Sequence, residues 1–182
     1  TGVQTCALPI YGVHSASASH RRARQPGALQ EVLQAELARR RSVLTASIQL
    51  PLPGLDLSLK PATAYEPYRR HHLARQREME LQLRQLRSKI RGLLSGVSPG
   101  LQKLAALDAA FEHMLSERES KLFSTVPALL EKHFKQLLKE HAQDDPPHWL
   151  RTFGATLQSA LLSELDVRLQ PAMGLIEAYN DE

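Results

Sequence analysis

Apolar residues recur every three or four positions along most of this chain, and prolines and glycines cut the pattern into segments. At 3.6 residues per helical turn, such spacing lays one apolar stripe along one face. The pattern starts after Pro26-Gly27, where Leu29, Leu33, Leu37 and Leu44 predict a first helix reaching about Gln49. LPLPGLDLSLKP follows, and the prolines and glycine clustered at its start forbid a helix there. Leu50, Leu52, Leu55, Leu57 and Leu59 keep that stretch apolar. It is expected to be an extended connection lying against the bundle.

The clearest helix runs from Tyr65 or Pro67 to about Ser95. Tyr68, His72, Met79, Leu83, Leu86, Ile90 and Leu93 fall in a heptad-like seam, the spacing that keeps one stripe against a partner helix. Its length comes to about 45 Å at 1.5 Å per residue. Gly96 stops it, and Ser98-Pro99 reads as the cap and first position of a third helix, to Phe123. In that helix Leu101, Leu104, Leu107, Phe111, Met114, Leu115 and Leu122 are expected to face inward.

Pro127 then demands a kink or a restart, with Thr125 as cap. From Pro127 to about Ala142, Leu130, Phe134, Leu137 and Leu138 share a face. After the break QDDPPH, Trp149, Leu150, Phe153, Leu157, Leu161, Leu165 and Leu169 define a last long helix. It is expected to be interrupted near Pro171 and to resume through Leu175, Ile176 and Tyr179. Short connections favour antiparallel neighbours. The expected fold is all-α: an elongated, largely antiparallel helical bundle with long coiled-coil-like helices, one domain over residues 27–182 and no sheet.

Composition agrees with that class. Of the 182 residues 42% are hydrophobic but only 5% aromatic, so the core is aliphatic and suits helix-on-helix packing. No uncharged apolar run is long enough to span a bilayer. Cys6 is the only cysteine, which removes disulfide and zinc-ribbon frameworks and favours a reducing, cytoplasmic setting. Cys6 itself lies in TGVQTCALPI, which resembles a translated sequencing adapter. Residues 1–26 are therefore expected to be artefactual or disordered and to add nothing to stability.

Charge divides the chain. Residues 39–91 hold twelve Lys/Arg against four acids, and residues 92–182 hold eight against thirteen. The basic run YRRHHLARQREMELQLRQLRSKIR carries Arg69, Arg70, Arg75, Arg77, Arg84, Arg87, Lys89 and Arg91. Three fates are open to it: pairing with the acidic half of the same chain, meeting an acidic protein, or tracking nucleic-acid phosphates. Arg84, Arg87 and Arg91 have the spacing of one helix face. Tyr65 and Tyr68 are the only aromatic residues near enough to stack on bases.

Catalytic and metal signatures are not found. His71 and His72 are adjacent, so they do not face each other on a helix, and His133 and His141 are two turns apart. His72, on the seam, reads as a hydrogen-bonded core histidine. Glu112, Glu117 and Glu119 lack the Glu-x-x-His partners of a di-metal carboxylate bundle. Glu117–Lys121 and Glu131–Lys135 instead have the spacing of helix-stabilising pairs. No P-loop, dinucleotide fingerprint or nucleophile elbow is present. The expectation is no enzyme, no cofactor, no metal and no catalytic residue.

From YEPYRRHHLARQREME through SPGLQKLAALDAAF, STVPALLEKHFKQL and LLSELDVRLQPAMGLIEA, the chain resembles the proteobacterial family of domain of unknown function 3348. The resemblance covers about residues 65–179 and brings no catalytic residues with it. It implies genes beside flagellar-stator-type membrane proteins, an arrangement similar to the Zorya anti-phage systems. The functional expectation is a non-enzymatic helical interaction subunit, a partner of such a stator-like membrane complex without inserting into the membrane itself. A homo-oligomer is compatible with this. The alternative is a nucleic-acid-binding protein using the basic helix 69–91.

Overall fold

The computed structural model describes residues 26–54, 63–141 and 146–182. They form five helices: α1 (Pro26–Ile48), α2 (Glu66–Leu94), α3 (Pro99–Phe123), α4 (Val126–Glu140) and α5 (Pro146–Asn180). No strand occurs among the described residues. No helix among them is long and apolar enough to cross a membrane.

The helix boundaries follow local chemistry. Ser98 has extended backbone and its hydroxyl accepts from the Leu101 amide at 3.2 Å, so it caps α3 with Pro99 at the first position. Thr125 is different. The chain does restart at Val126, but Thr125 keeps helical backbone angles and caps nothing. Its hydroxyl donates back to the Leu122 carbonyl at 3.0 Å, closing α3 instead of opening α4.

Pro171 departs from expectation, because α5 runs straight through it to Asn180. A mid-helix proline loses one backbone hydrogen bond and costs about 3 kcal/mol. Leu165, Leu169, Ala172, Leu175 and Ile176 are all buried around it. Their packing outweighs that cost.

Pairs of contacting residues give the topology. Along α2 and α5, Tyr65 meets Phe153 (ring centroids 6.3 Å apart) and Gln76 meets Glu164 (2.7 Å). These two long helices therefore run in the same direction through the centre. On one side α1 runs opposite to them: Ser47 bonds Glu78 at 2.7 Å, whereas Glu36 reaches Lys89 at 3.1 Å. α3 also runs opposite, with Asp108 on Arg91 at its start and the Phe123 carbonyl accepting from Gln76 at its end. The pairs α1/α2 and α2/α3 are antiparallel, while the central α2/α5 pair is parallel.

The core changes character along its length. At the α4 end, Tyr65, Tyr68, Phe134, Trp149 and Phe153 form an aromatic cluster, with Phe134 and Phe153 edge to face at 5.1 Å. The Tyr65 hydroxyl donates to the Pro127 carbonyl at 2.8 Å, and burial pushes its pKa up to about 12. Beyond the cluster, Met79, Leu86, Ile90 and Leu94 of α2 meet Leu157, Leu161 and Leu165 of α5 in an aliphatic core. The buried stripe of α2 ends on Leu94, with Leu93 at its margin. In the α1–α2 connection, Leu52 packs on the core while Leu50 is exposed. Gly154 is buried beneath Leu52, where a Cβ would stand 2.9 Å from the Leu52 Cδ1. Leu55, Leu57 and Leu59 lie outside the described residues, as does the N-terminal stretch 1–25.

His72 is buried as the seam requires, but neither ring nitrogen has a hydrogen-bond partner, contrary to the expected bonded histidine. Burial, then the neighbouring His71, hold its pKa down to about 4 from an ordinary 6.5. Above the ordinary value the ring is neutral in both folded and unfolded chains. As pH falls toward 4 the unfolded chain takes the proton first, so about 3 kcal/mol of stability is lost across that window. Lowered carboxylates act further down the pH scale. Replacing His72→Met keeps the bulk and removes the titration. Thermal melts from neutral pH to about pH 4.5 should show a shallower loss for the variant; an equally steep loss would place the acid sensitivity elsewhere.

Candidate functional site

The eight cations of the basic run have separate fates. Arg69 and Arg70 reach Glu66 at 3.6 and 3.1 Å, and Arg84 reaches Glu80 at 2.9 Å, all as exposed pairs along α2. Such pairs contribute little stability but neutralise the surface. Arg75 pairs with Glu78 at 2.9 Å and hydrogen-bonds Ser47. Lys89 reaches Glu36 of α1 at 3.1 Å. Hydrogen bonding by Arg39, against the opposing effect of burial and with help from Lys89 and Arg40, holds Glu36 down to about 2. Arg77 is exposed and has no acidic partner among the described residues.

Arg87 and Arg91 turn inward. The Arg87 guanidinium grips Asp108 with Nε at 2.9 and 3.0 Å and Nη2 at 2.6 Å. Arg91 bridges Asp108 and Glu112, both at 2.8 Å. Burial pushes the Asp108 carboxyl up, but the hydrogen bonds and charges of both arginines outweigh it and hold it below the usual range. A second network lies one turn or more away. Arg168 of α5 holds Glu164 at 2.8 Å and Glu119 at 3.4 Å, and its guanidinium lies 4.8 Å above the Phe123 ring. Gln76 donates to Glu164. The basic helix and the acidic half of the chain thus meet inside the bundle. Arg84, Arg87 and Arg91 do not form one surface, because only Arg84 stays outside.

These contacts fix how α3 sits. Its acids Asp108, Glu112 and Glu119 face α2 and α5, and of its apolar residues only Leu101 and Ala105 are buried. Leu107 is 54% exposed, Phe111 46%, Met114 51%, Leu115 39% and Leu122 64%. They were expected to face the core and instead face out, with Leu104 at the margin. The reason is that α3 carries an apolar stripe and an acidic stripe side by side, and the bundle offers it arginines. Periodicity locates both stripes without saying which one is buried. The legible signal was the spacing of Asp108, Glu112 and Glu119 on one face, matched by Arg87 and Arg91 on the preceding helix.

Glu117 pairs with His113 at 3.5 Å rather than with Lys121, and Glu131 pairs with Lys135 at 2.6 Å as its spacing predicts. A cleft of about 530 Å³ opens between α2, α3 and α4, and Arg69, Arg77 and Arg168 line it together with Glu66, Glu80 and Glu131. The balanced signs select no anion or cation. Among the described residues no group of three His, Cys, Asp or Glu side chains converges.

Asp108 is the keystone of this arrangement. Asp108→Ala leaves Arg87 buried without its carboxylate and should cost about 3–5 kcal/mol in urea unfolding. Adding Arg87→Met should return a large part of the loss. A deficit below about 1 kcal/mol would show that α3 is held by something else.

The DUF3348 profile, described as a protein of unknown function, matches residues 5–181, a wider span than the motifs quoted above. No curated protein and no solved structure matches the chain. With nearly its whole length matched, the chain belongs to the DUF3348 family.

Proposed function

We propose that this protein is a non-enzymatic helical interaction subunit whose contact surface is the outward stripe of α3. One observation carries this reading: Leu107, Phe111, Met114 and Leu115 form an exposed apolar face, with Leu122 two turns further on, on a helix held in place by inward-facing ion pairs. Contiguous exposed apolar surface of this kind marks interaction sites. The family resemblance directs the first search to stator-like membrane proteins, in a Zorya-like anti-phage setting. No catalytic, metal or cofactor role is assigned to any residue.

The nucleic-acid alternative draws its support from Arg77, the exposed cation of the basic run that forms no ion pair among the described residues. Its neighbours Arg69, Arg70 and Arg84 share their charge with Glu66 and Glu80. One free arginine gives a slope of only about 0.9 in log affinity against log salt, the signature of weak, unspecific attraction.

The test uses a triple variant, Leu107→Gln, Phe111→Gln and Met114→Gln. Glutamine has good helix propensity and these sites are exposed, so folding stability should change by less than about 1 kcal/mol. Tagged parent protein should recover the neighbouring membrane proteins, and the triple variant should lose them. Equal recovery by both would remove the stripe from the interaction. Tight, steeply salt-dependent DNA binding by the parent would put the alternative first.

A further inference from the structure

The stripe on α3 has an order that points to its occupant. Leu104, Leu107, Phe111 and Met114 are spaced three, four and three, which are successive a and d positions of a heptad. The next seam positions are Arg118 and Lys121, so the apolar part is short and ends abruptly. We infer that, within the interaction reading above, this stripe pairs with the same stripe of a second copy of the chain, with the two α3 helices antiparallel.

The register follows from the residues. If Leu107 packs against the partner's Phe111, then Leu104 packs against the partner's Met114, and the twofold axis repeats both layers. Every apolar seam residue is then covered, as an isologous interface requires. The flanking charges agree with this register. Lys103, which has no acidic partner among the described residues, comes beside the partner's Glu117, and the axis makes that pair twice. Arg118 falls level with the partner's Gly100, beside which the Glu182 carboxylate stands, 3.3 Å from where a Gly100 Cβ would be. Asp108 flanks the seam on the side turned toward α2, where Arg87 and Arg91 neutralise it, so it adds no repulsion between the copies. A parallel pairing would instead set Arg118 against Arg118 and Lys121 against Lys121.

Four apolar layers are few for a coiled coil, so the dimer should be reversible in the micromolar range. Sedimentation equilibrium of the full chain tests it. The parent should pass from monomer to dimer with concentration, and the triple glutamine variant should stay monomeric. Lys103→Glu or Glu117→Lys alone should weaken the dimer about tenfold, and the two together should restore it. Direction is read by bis-maleimide crosslinking in a Cys6→Ser background. Ala110→Cys lies at the axis and should link. Lys121→Cys should not, because antiparallel helices hold those positions about 35 Å apart. A parent that stays monomeric throughout, a charge swap that fails to restore pairing, or crosslinking through position 121 each overturns the inference. A monomeric parent whose stripe variant still loses its membrane partner overturns self-pairing alone and leaves the interaction reading standing.

Discussion

The buried grip of Arg87 and Arg91 on Asp108 and Glu112 decides the orientation of α3, and the exposed surface follows from it. Rotating α3 by about a third of a turn would carry its apolar stripe into the bundle. That would bury five half-exposed side chains, a gain of about 1 kcal/mol each. It would also strip Arg87 and Arg91 of their carboxylates, at about 3–5 kcal/mol for each pair broken, and take Glu119 from Arg168, which keeps Glu164 on its own helix. The electrostatic loss is the larger, so the acids stay in and the leucines stay out. An interior arginine that cannot deprotonate leaves the chain no cheaper solution.

The rest of the architecture makes those arginines interior. α2 and α5 run together in the same direction, so two intervening helices must return the chain between them. α3 brings it back along the bundle, and the turn at Ser124–Thr125 lets α4 leave that axis and close over the aromatic cluster. Phe134 of α4 is fully buried against Tyr65, Tyr68, Trp149 and Phe153, which anchors the far end of α3 through the chain itself. α3 is therefore tied at one end by aromatic packing next door and along its length by ion pairs.

This division explains what could be read from the residues in advance. Helix positions were legible because apolar residues recur at helical spacing in each segment and Ser98-Pro99, Pro127 or the Pro-rich connection bounds it. The fold class followed from the same pattern. The inward face of α3 was not legible from periodicity, which measures how apolar residues cluster and not what lies opposite them. Pro171 misled for a related reason: local propensity argues for a break, and the packed neighbours Leu169, Ala172 and Leu175 override it. His72 was placed correctly in the core, yet its missing partners depend on which side chains surround it. Of the basic run, the charge was legible but its division into inward-turned Arg87 and Arg91, surface-paired Arg69, Arg70 and Arg84, and Arg77, without an ion pair among the described residues, was not. That division depends on the acids of α1 and α3, brought near only by folding.

Because one network sets both the packing of α3 and its exposed stripe, substitutions fall into two physically distinct sets. Changes at Asp108, Glu112 or Arg87 disturb the interior first and alter the surface as a consequence. Changes at Leu107, Phe111 or Met114 act on side chains that stand about half in solvent and take no part in the ion pairs that hold α3. A loss of assembly caused by the first set speaks only to folding. The same loss caused by the second set speaks to recognition, and the orientation of α3 is what allows the two to be separated within one helix.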